Sequence, residues 1–223
     1  MIQRSTLREQ LAEALREEIL AGRLAPDAEF TVREIAEQYG VSATPVREAL
    51  VDLSAQGLLE VEQHRGYRIK QLTFTDFRQM VEALALVGDG VLHRHPALVQ
   101  WPVGPEEFTS IRRRAVAARQ AALAGDLDIL IAYDLRYWRE LDALLENPHI
   151  GEFLDRLRVR CWAFLVPRLR GGPGGGERLA GRLWAGHLTL ADAVETGNVD
   201  ETGRLLSEYR SHILALAAEL GVS

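Results

Sequence analysis

Two short helical patterns separated by a three-residue turn constrain this chain most. Thr31 can cap VREIAEQY (32–39), and Gly40-Val41-Ser42 leads into a second pattern over 43–56. In that second helix Ser42 is the candidate cap, and Pro45 falls in the first turn, where a missing backbone N–H costs nothing. A connection this short holds two helices at a steep crossing angle. An amphipathic segment, TLREQLAEALREEILA (6–21), precedes the pair. It puts Leu7, Leu11, Leu15 and Ile19 on one stripe, with Thr6 and Glu9 spaced as a capping box and Gly22 as its stop. RLAPDAEF (23–30) reads as a connector. After Gly57 come two β-like runs, 58–62 and 67–72, joined by QHRG (63–66) with Gly66 as the turn residue. The expectation is three helices followed by a two-stranded wing.

From Thr73 onward the pattern is helical only. Candidate helices cover 75–93, 105–124, 127–146, 150–168, 177–196 and 199–220. Breaks fall at His95-Pro96, Gly125, Asn147-Pro148, Gly171–Gly176 and Gly197-Asn198. The predicted class is therefore mainly α. A winged helix-turn-helix domain (1–72) is followed by an all-helical bundle of six or seven helices (73–223), with the change near Gln71–Phe74. The GGPGGG run reads as a mobile surface loop. It lacks the strand before it and the lysine or hydroxyl partner that a phosphate cradle needs.

Composition excludes several classes. One cysteine, Cys161, rules out an internal disulfide and a cysteine-only metal site. No apolar run approaches the ~18 residues of a membrane span, and MIQRSTLREQ has no apolar signal core, so a cytoplasmic protein is expected. The net charge of −6 is opposite to that of a basic nucleic-acid binder. Residues 42–70 are locally balanced, with Arg47, Arg65, Arg68 and Lys70 against Glu48, Asp52, Glu60 and Glu62. Any DNA-binding charge must then be sorted onto one face, and salt should weaken binding less than for a basic protein.

A helix entering the major groove presents its N-terminal residues first. Here these are Ser42, Ala43, Thr44, Pro45 and Arg47. Small side chains let the helix sit deep, its N-terminus attracts phosphate, and Arg47 can bond guanine bidentately or clamp a phosphate. Arg65 at the wing tip can reach the adjacent minor groove or backbone, and Arg33 can touch phosphate or a base. The alternative for each arginine is a solvated surface position.

The stretch from Val32 to Ile69 closely resembles the winged helix of the GntR family. The matching residues are Ile35-Ala36, Gly40-Val41-Ser42, Thr44-Pro45-Val46-Arg47-Glu48-Ala49-Leu50, Leu53, Gly57-Leu58-Leu59 and Arg65-Gly66, preceded by a lead-in over Ile19–Pro26. The resemblance places Arg33, Ser42, Thr44, Pro45, Arg47, Arg65 and Gly66 on DNA-contacting positions. One departure stands out: the family usually has arginine where this chain has Ala43.

The remainder resembles the FadR-like subfamily with its FCD-type C-terminal domain, through GDLDILIAYDLRYWREL and GHLTLADAVETGNVDETGRLLSEY. Many such domains hold a divalent metal through one Asp and three His. By spacing, those positions are Asp134, Trp138, His187 and Tyr209, so two of the three histidines are replaced. Trp is not a usual ligand and Tyr rarely binds Zn or Ni. The metal site reads as degenerate and no cofactor is expected; His212, three residues beyond Tyr209, is the one residue that could rescue it. What the resemblance leaves is an effector pocket at Asp134, Trp138, His187 and Tyr209, with aromatic walls and polar tips suited to a small organic molecule.

The expected protein is a homodimeric transcription regulator, most simply a repressor. It would bind a palindromic double-stranded DNA operator and answer to a small-molecule effector. The alternative is a DNA-binding regulator whose C-terminal domain only dimerises. An enzyme is not expected, because the sequence has no paired nucleophile and base, no cofactor fingerprint and no intact ligand set.

Overall fold

The computed structural model describes residues 6–24, 28–62, 65–94, 105–171 and 179–220. It divides into two compact units, Met1–Leu72 and Thr73–Ser223. The expected break at His95-Pro96 and nearly all of the glycine-rich run lie outside the described residues.

The first unit contains α1 (Leu7–Leu20), β1 (Glu29–Phe30), α2 (Val32–Tyr39), α3 (Ala43–Ala55), β2 (Leu59–Glu62) and β3 (Gly66–Ile69). Thr6 and Glu9 close a reciprocal capping box on α1, and Thr31 and Glu34 close another on α2. Gly40 ends α2 in the left-handed conformation at φ 65°, which favours glycine. The core forms where α1 (Leu11, Leu15, Ile19) meets the inward stripe of α3 (Val46, Ala49, Leu50, Leu53). Truncating one of those fully buried leucines to alanine costs ~2–5 kcal/mol, so the orientation of α3 is firmly set.

The wing has three strands rather than two. β1 comes from the segment read as a connector and pairs antiparallel with β3, giving the order β1-β3-β2. Gly66 makes this possible. Its φ is 112°, and a Cβ there would lie 2.5 Å from the Phe30 carbonyl oxygen.

The second unit contains α4 (Phe74–Arg94), α5 (Pro105–Ala124), α6 (Leu127–Ala143), α7 (Pro148–Gly171), α8 (His187–Glu195) and α9 (Val199–Glu219). The helix expected over 177–196 is shorter at its start. Residues 180–182 form a turn with Gly181 at φ 73°, and the helix begins only at His187. Leu179, Leu183 and Trp184 are buried at a helix-like spacing without being helical. A core cluster joins α5, α6, α8 and α9 through Ile111, Tyr137, Trp138, Leu190 and Leu205. No helix among the described residues is long and apolar enough to cross a membrane.

Candidate functional site

In the first unit, the residues of α3 that turn away from the core form one exposed face: Ala43, Thr44, Arg47, Glu48 and Val51. Ser42 is exposed as the N-cap, and its hydroxyl makes no capping bond. The first backbone N–H groups of α3 therefore stay available to an incoming anion. Pro45 is half-buried at the third helical position, where it has no N–H to orphan.

The arginines differ in how free they are. Arg47 is exposed and forms no ion pair or hydrogen bond among the described residues. Arg33 is 86% exposed but its Nε donates to Glu37 one turn later at 2.7 Å. Arg65 lies 3.9 Å from Glu29, a loose contact. Arg68 is shared between Glu60 (3.1 Å) and Glu62 (2.7 Å), which neutralises it within the wing. Surface pairs of this kind are worth ~0–1 kcal/mol and can be exchanged for a phosphate. Gly66 is half-buried, tied to the Phe30 backbone.

In the second unit, Asp134, Trp138, His187 and Tyr209 come together. Asp126 caps α6 by accepting from the Ile129 N–H, and α6 then buries Asp134, Tyr137 and Trp138 on its inner face. Asp134 is 2% exposed and serves as an acceptor hub. The Trp138 indole N–H donates to its Oδ1 at 2.9 Å, and His187 Nε2 bonds the same oxygen at 2.9 Å. The half-buried Trp162 of α7 donates its indole N–H to Oδ2 at 2.7 Å. His187 sits at the first position of α8, where its own carbonyl accepts from the Tyr137 hydroxyl at 3.0 Å.

Aromatic rings close the cluster. Tyr209 lies 5.2 Å from Trp138 and 4.9 Å from Trp184, centroid to centroid, and Trp184 lies 4.7 Å from His187. Burial, followed by the negative charge of Asp134, raises the Tyr209 phenol well above its ordinary range. Arg158 lays its guanidinium over Trp138, 4.5 Å from the ring centroid, and forms a buried bidentate pair with Asp142. Two cavities flank the cluster. One, of about 100 Å³, is bounded by Trp138 and Tyr209 with residues of α4, α6, α7, α8 and α9. The other, of about 30 Å³, is lined by Asp134, Trp162, Trp184, His187, Tyr209 and His212, among others.

Comparisons with known proteins agree with both units. Residues 7–69 match the model of bacterial regulatory proteins of the gntR family, and residues 102–212 match the FCD domain. The chain belongs to the GntR family. It is 27% identical over 215 residues to a Paenarthrobacter nicotinovorans protein named "Probable D-xylose utilization operon transcriptional repressor", spanning 96% of this chain and 90% of that one. It is 24% identical over 157 residues to the HTH-type transcriptional regulator McbR of Escherichia coli, 68% of this chain and 66% of that one. The solved structure of E. coli McbR/YncC superposes with a TM-score of 0.77 at 19% identity, covering 97% of this chain and 99% of that one. A GntR protein from Rhodococcus sp. RHA1 gives 0.74 at 21% identity, covering 95% and 97%. At these identities the two structures speak to the fold alone.

The residues of this GntR protein do not fit the metal that many FCD domains hold. Among the described residues the three side-chain polar contacts of Asp134 are with nitrogens, two of them indole N–H groups that have no lone pair to give. The raised Tyr209 phenol stays protonated and is a poor ligand. His212 does not complete the set, because its Nε2 bonds the Arg182 carbonyl at 2.8 Å. Among the described residues no three His, Cys, Asp or Glu side chains are grouped to hold an ion. The Trp138 N–H instead supplies the positive end of a dipole to the carboxylate.

Trp162 and Trp184 belong to this cluster and were not singled out from the sequence. Trp162 lies one turn beyond Arg158 on the inward face of α7, a pattern that reads equally well as ordinary core. Trp184 was hidden by the helix assigned to its segment.

Proposed function

We propose that this GntR-family protein is a sequence-specific transcription repressor. It reads a palindromic double-stranded operator as a homodimer, with Arg33, Ser42, Thr44, Pro45, Arg47, Arg65 and Gly66 at the DNA. The observation that carries the proposal is the outward face of α3, where Arg47 has no partner among the described residues and lies one turn from an uncapped helix start. A guanidinium so placed can bond the O6 and N7 of a guanine, while the first-turn N–H groups take a phosphate. Thr44 and Ala43 leave room for close approach. The local charge balance is compatible with this, because the acidic residues of the wing are engaged by Arg65 and Arg68.

The domain of residues 73–223 binds a small organic effector beside Asp134, Trp138, His187 and Tyr209, and also supplies the dimer contact. Support comes from the two cavities that meet at Tyr209. Effector binding would act by favouring one arrangement of the paired DNA-binding domains over another. The named D-xylose and McbR relatives are regulators, in line with a binding protein of the cytoplasm rather than an enzyme. Sequencing genomic fragments retained by the purified full-length protein tests this reading. An enriched inverted repeat, with half-sites one or more helical turns apart, is expected. Retention of fragments without any shared sequence would overturn it.

A further inference from the structure

The larger cavity has features that the Asp134 cluster does not explain. Its walls are apolar side chains from several helices, among them Leu84, Leu92, Leu141, Val194 and Leu206. Its charged lining is already neutralised within the protein. Arg158 is paired with Asp142, and Arg210 donates to Asp89 at 3.0 Å. The Trp138 ring borders the space, but its N–H is committed to Asp134. A buried polar group beside the cavity lacks a partner among the described residues. Thr202 lines this cavity and is only 5% exposed; its hydroxyl oxygen is turned in from the open space and has no hydrogen-bond partner among the described residues. A buried hydroxyl left unbonded is costly, so a χ1 rotation that brings the Thr202 oxygen to the cavity wall lets a bound molecule supply the missing hydrogen bond.

We infer that this cavity is the seat of a small, uncharged, mainly apolar molecule carrying one hydroxyl or carbonyl group, which bonds the Thr202 hydroxyl. A carboxylate is disfavoured because entering would desolvate its charge beside cations that already have anionic partners. An ammonium meets the same penalty against Asp142. The space of about 100 Å³ equals a few waters' share of liquid volume, which limits the molecule to a handful of non-hydrogen atoms unless side chains move aside. The inference names the ligand class for the effector reading above and rests on it for any effect on DNA, while the seating itself is measured without DNA.

The test uses the full-length protein and three probes sharing one carbon skeleton: isobutanol, isobutyrate and isobutylammonium. The readout is the indole N–H resonance of each tryptophan during titration at neutral pH. Isobutanol should shift Trp138 saturably and leave Trp162, which lines the smaller cavity, nearly unmoved. The two ions should bind at least about tenfold more weakly, the ratio that corresponds to ~1.4 kcal/mol of charge desolvation. Thr202→Val should weaken isobutanol roughly three- to tenfold, the range of one neutral hydrogen bond. Isobutyrate binding as tightly as isobutanol, or no saturable shift at Trp138, overturns the assignment. The probe comparison on the unmutated protein stands even if Thr202→Val does not fold. Operator affinity unchanged at isobutanol saturation would count against the effector reading while the ligand seat remained.

Discussion

Replacing Asp134 should destabilise the helical domain more than any surface change, because one carboxylate satisfies three nitrogens. In Asp134→Ala the Trp138 N–H, fully enclosed, loses its acceptor at a cost of ~1–3 kcal/mol. The Trp162 N–H is half-buried and can recover part of its bond from water, so it adds about 1 kcal/mol. His187 is 1% exposed and loses the bond at Nε2 while Nδ1 is already without a partner among the described residues, adding about 1 kcal/mol more. The sum is about 3–5 kcal/mol. Asp134→Asn keeps one acceptor oxygen but turns an amide N–H₂ toward one of the donors, and should cost about 1–3 kcal/mol. Urea unfolding followed by tryptophan fluorescence and near-ultraviolet circular dichroism measures both. At roughly 2–4 °C per kcal/mol for a domain of this size, the alanine variant should melt ~6–20 °C lower. An Asp134→Ala protein within about 1 kcal/mol of the parent would refute the hub. Equal losses for Asn and Ala would show that charge, not acceptor count, is what the cluster needs.

Further outcomes follow from the same geometry. Gly66→Ala, which must hold φ near 112° against the Phe30 carbonyl, should cost about 1–3 kcal/mol and release β1 from β3, seen as faster amide exchange in both strands. Burial pushes the Cys161 thiol up to about 12, with Arg158 and Arg160 pulling only partly against it, so an aromatic disulfide reagent at about pH 8 should label the unfolded chain and spare the native one. Because that folded value lies above the unfolded one near ~8.5, the stabilisation it confers is complete below ~8.5 and lost as pH rises from there toward about 12; the urea midpoint should fall across that window. The unaltered protein should carry no stoichiometric Zn or Ni by elemental analysis, and Trp138→His with Tyr209→His should gain one ion per chain. Failure of the double variant would show that Trp162 holds Asp134 away from the ligand position, which a third change, Trp162→Phe, would relieve.

Much of the fold was legible in the sequence because its elements carry their own stop signals. Thr6 with Glu9, Thr31, Gly40 and Gly125 mark ends that the structure keeps within a few residues, and Glu34 completes a capping box with Thr31. Two elements were not legible, for identifiable reasons. β1 is two residues long, too short for alternation to register, and exists because Gly66 lets the Phe30 backbone approach β3. The start of α8 was misassigned because Leu179, Leu183 and Trp184 repeat at helical spacing for a different cause. The Trp184 ring folds over Gly186, the residue before the helix starts, where a Cβ would lie 2.5 Å from it, so the position needs glycine. In the helical unit, family spacing picked out Asp134, Trp138, His187 and Tyr209, which the fold brings into contact. Trp162 escaped because an indole on an apolar stripe carries no sign that its N–H has a buried carboxylate to meet. The Thr202 cavity escaped for the same reason, since an unpaired hydroxyl is a property of packing and not of pattern.

The central claim is that α3 reads DNA through Arg47. Its most direct test is a titration of the genomically selected operator, and of a scrambled duplex of equal length, with the parent protein and with Arg47→Ala. Arg47 is exposed and has no partner among the described residues, so its loss should leave the melting temperature nearly unchanged. Operator affinity should fall by about 1–3 kcal/mol, roughly 5- to 150-fold, with a much smaller loss on the scrambled duplex. Equal affinity of the two proteins for the operator would contradict the account and remove α3 from the reading interface.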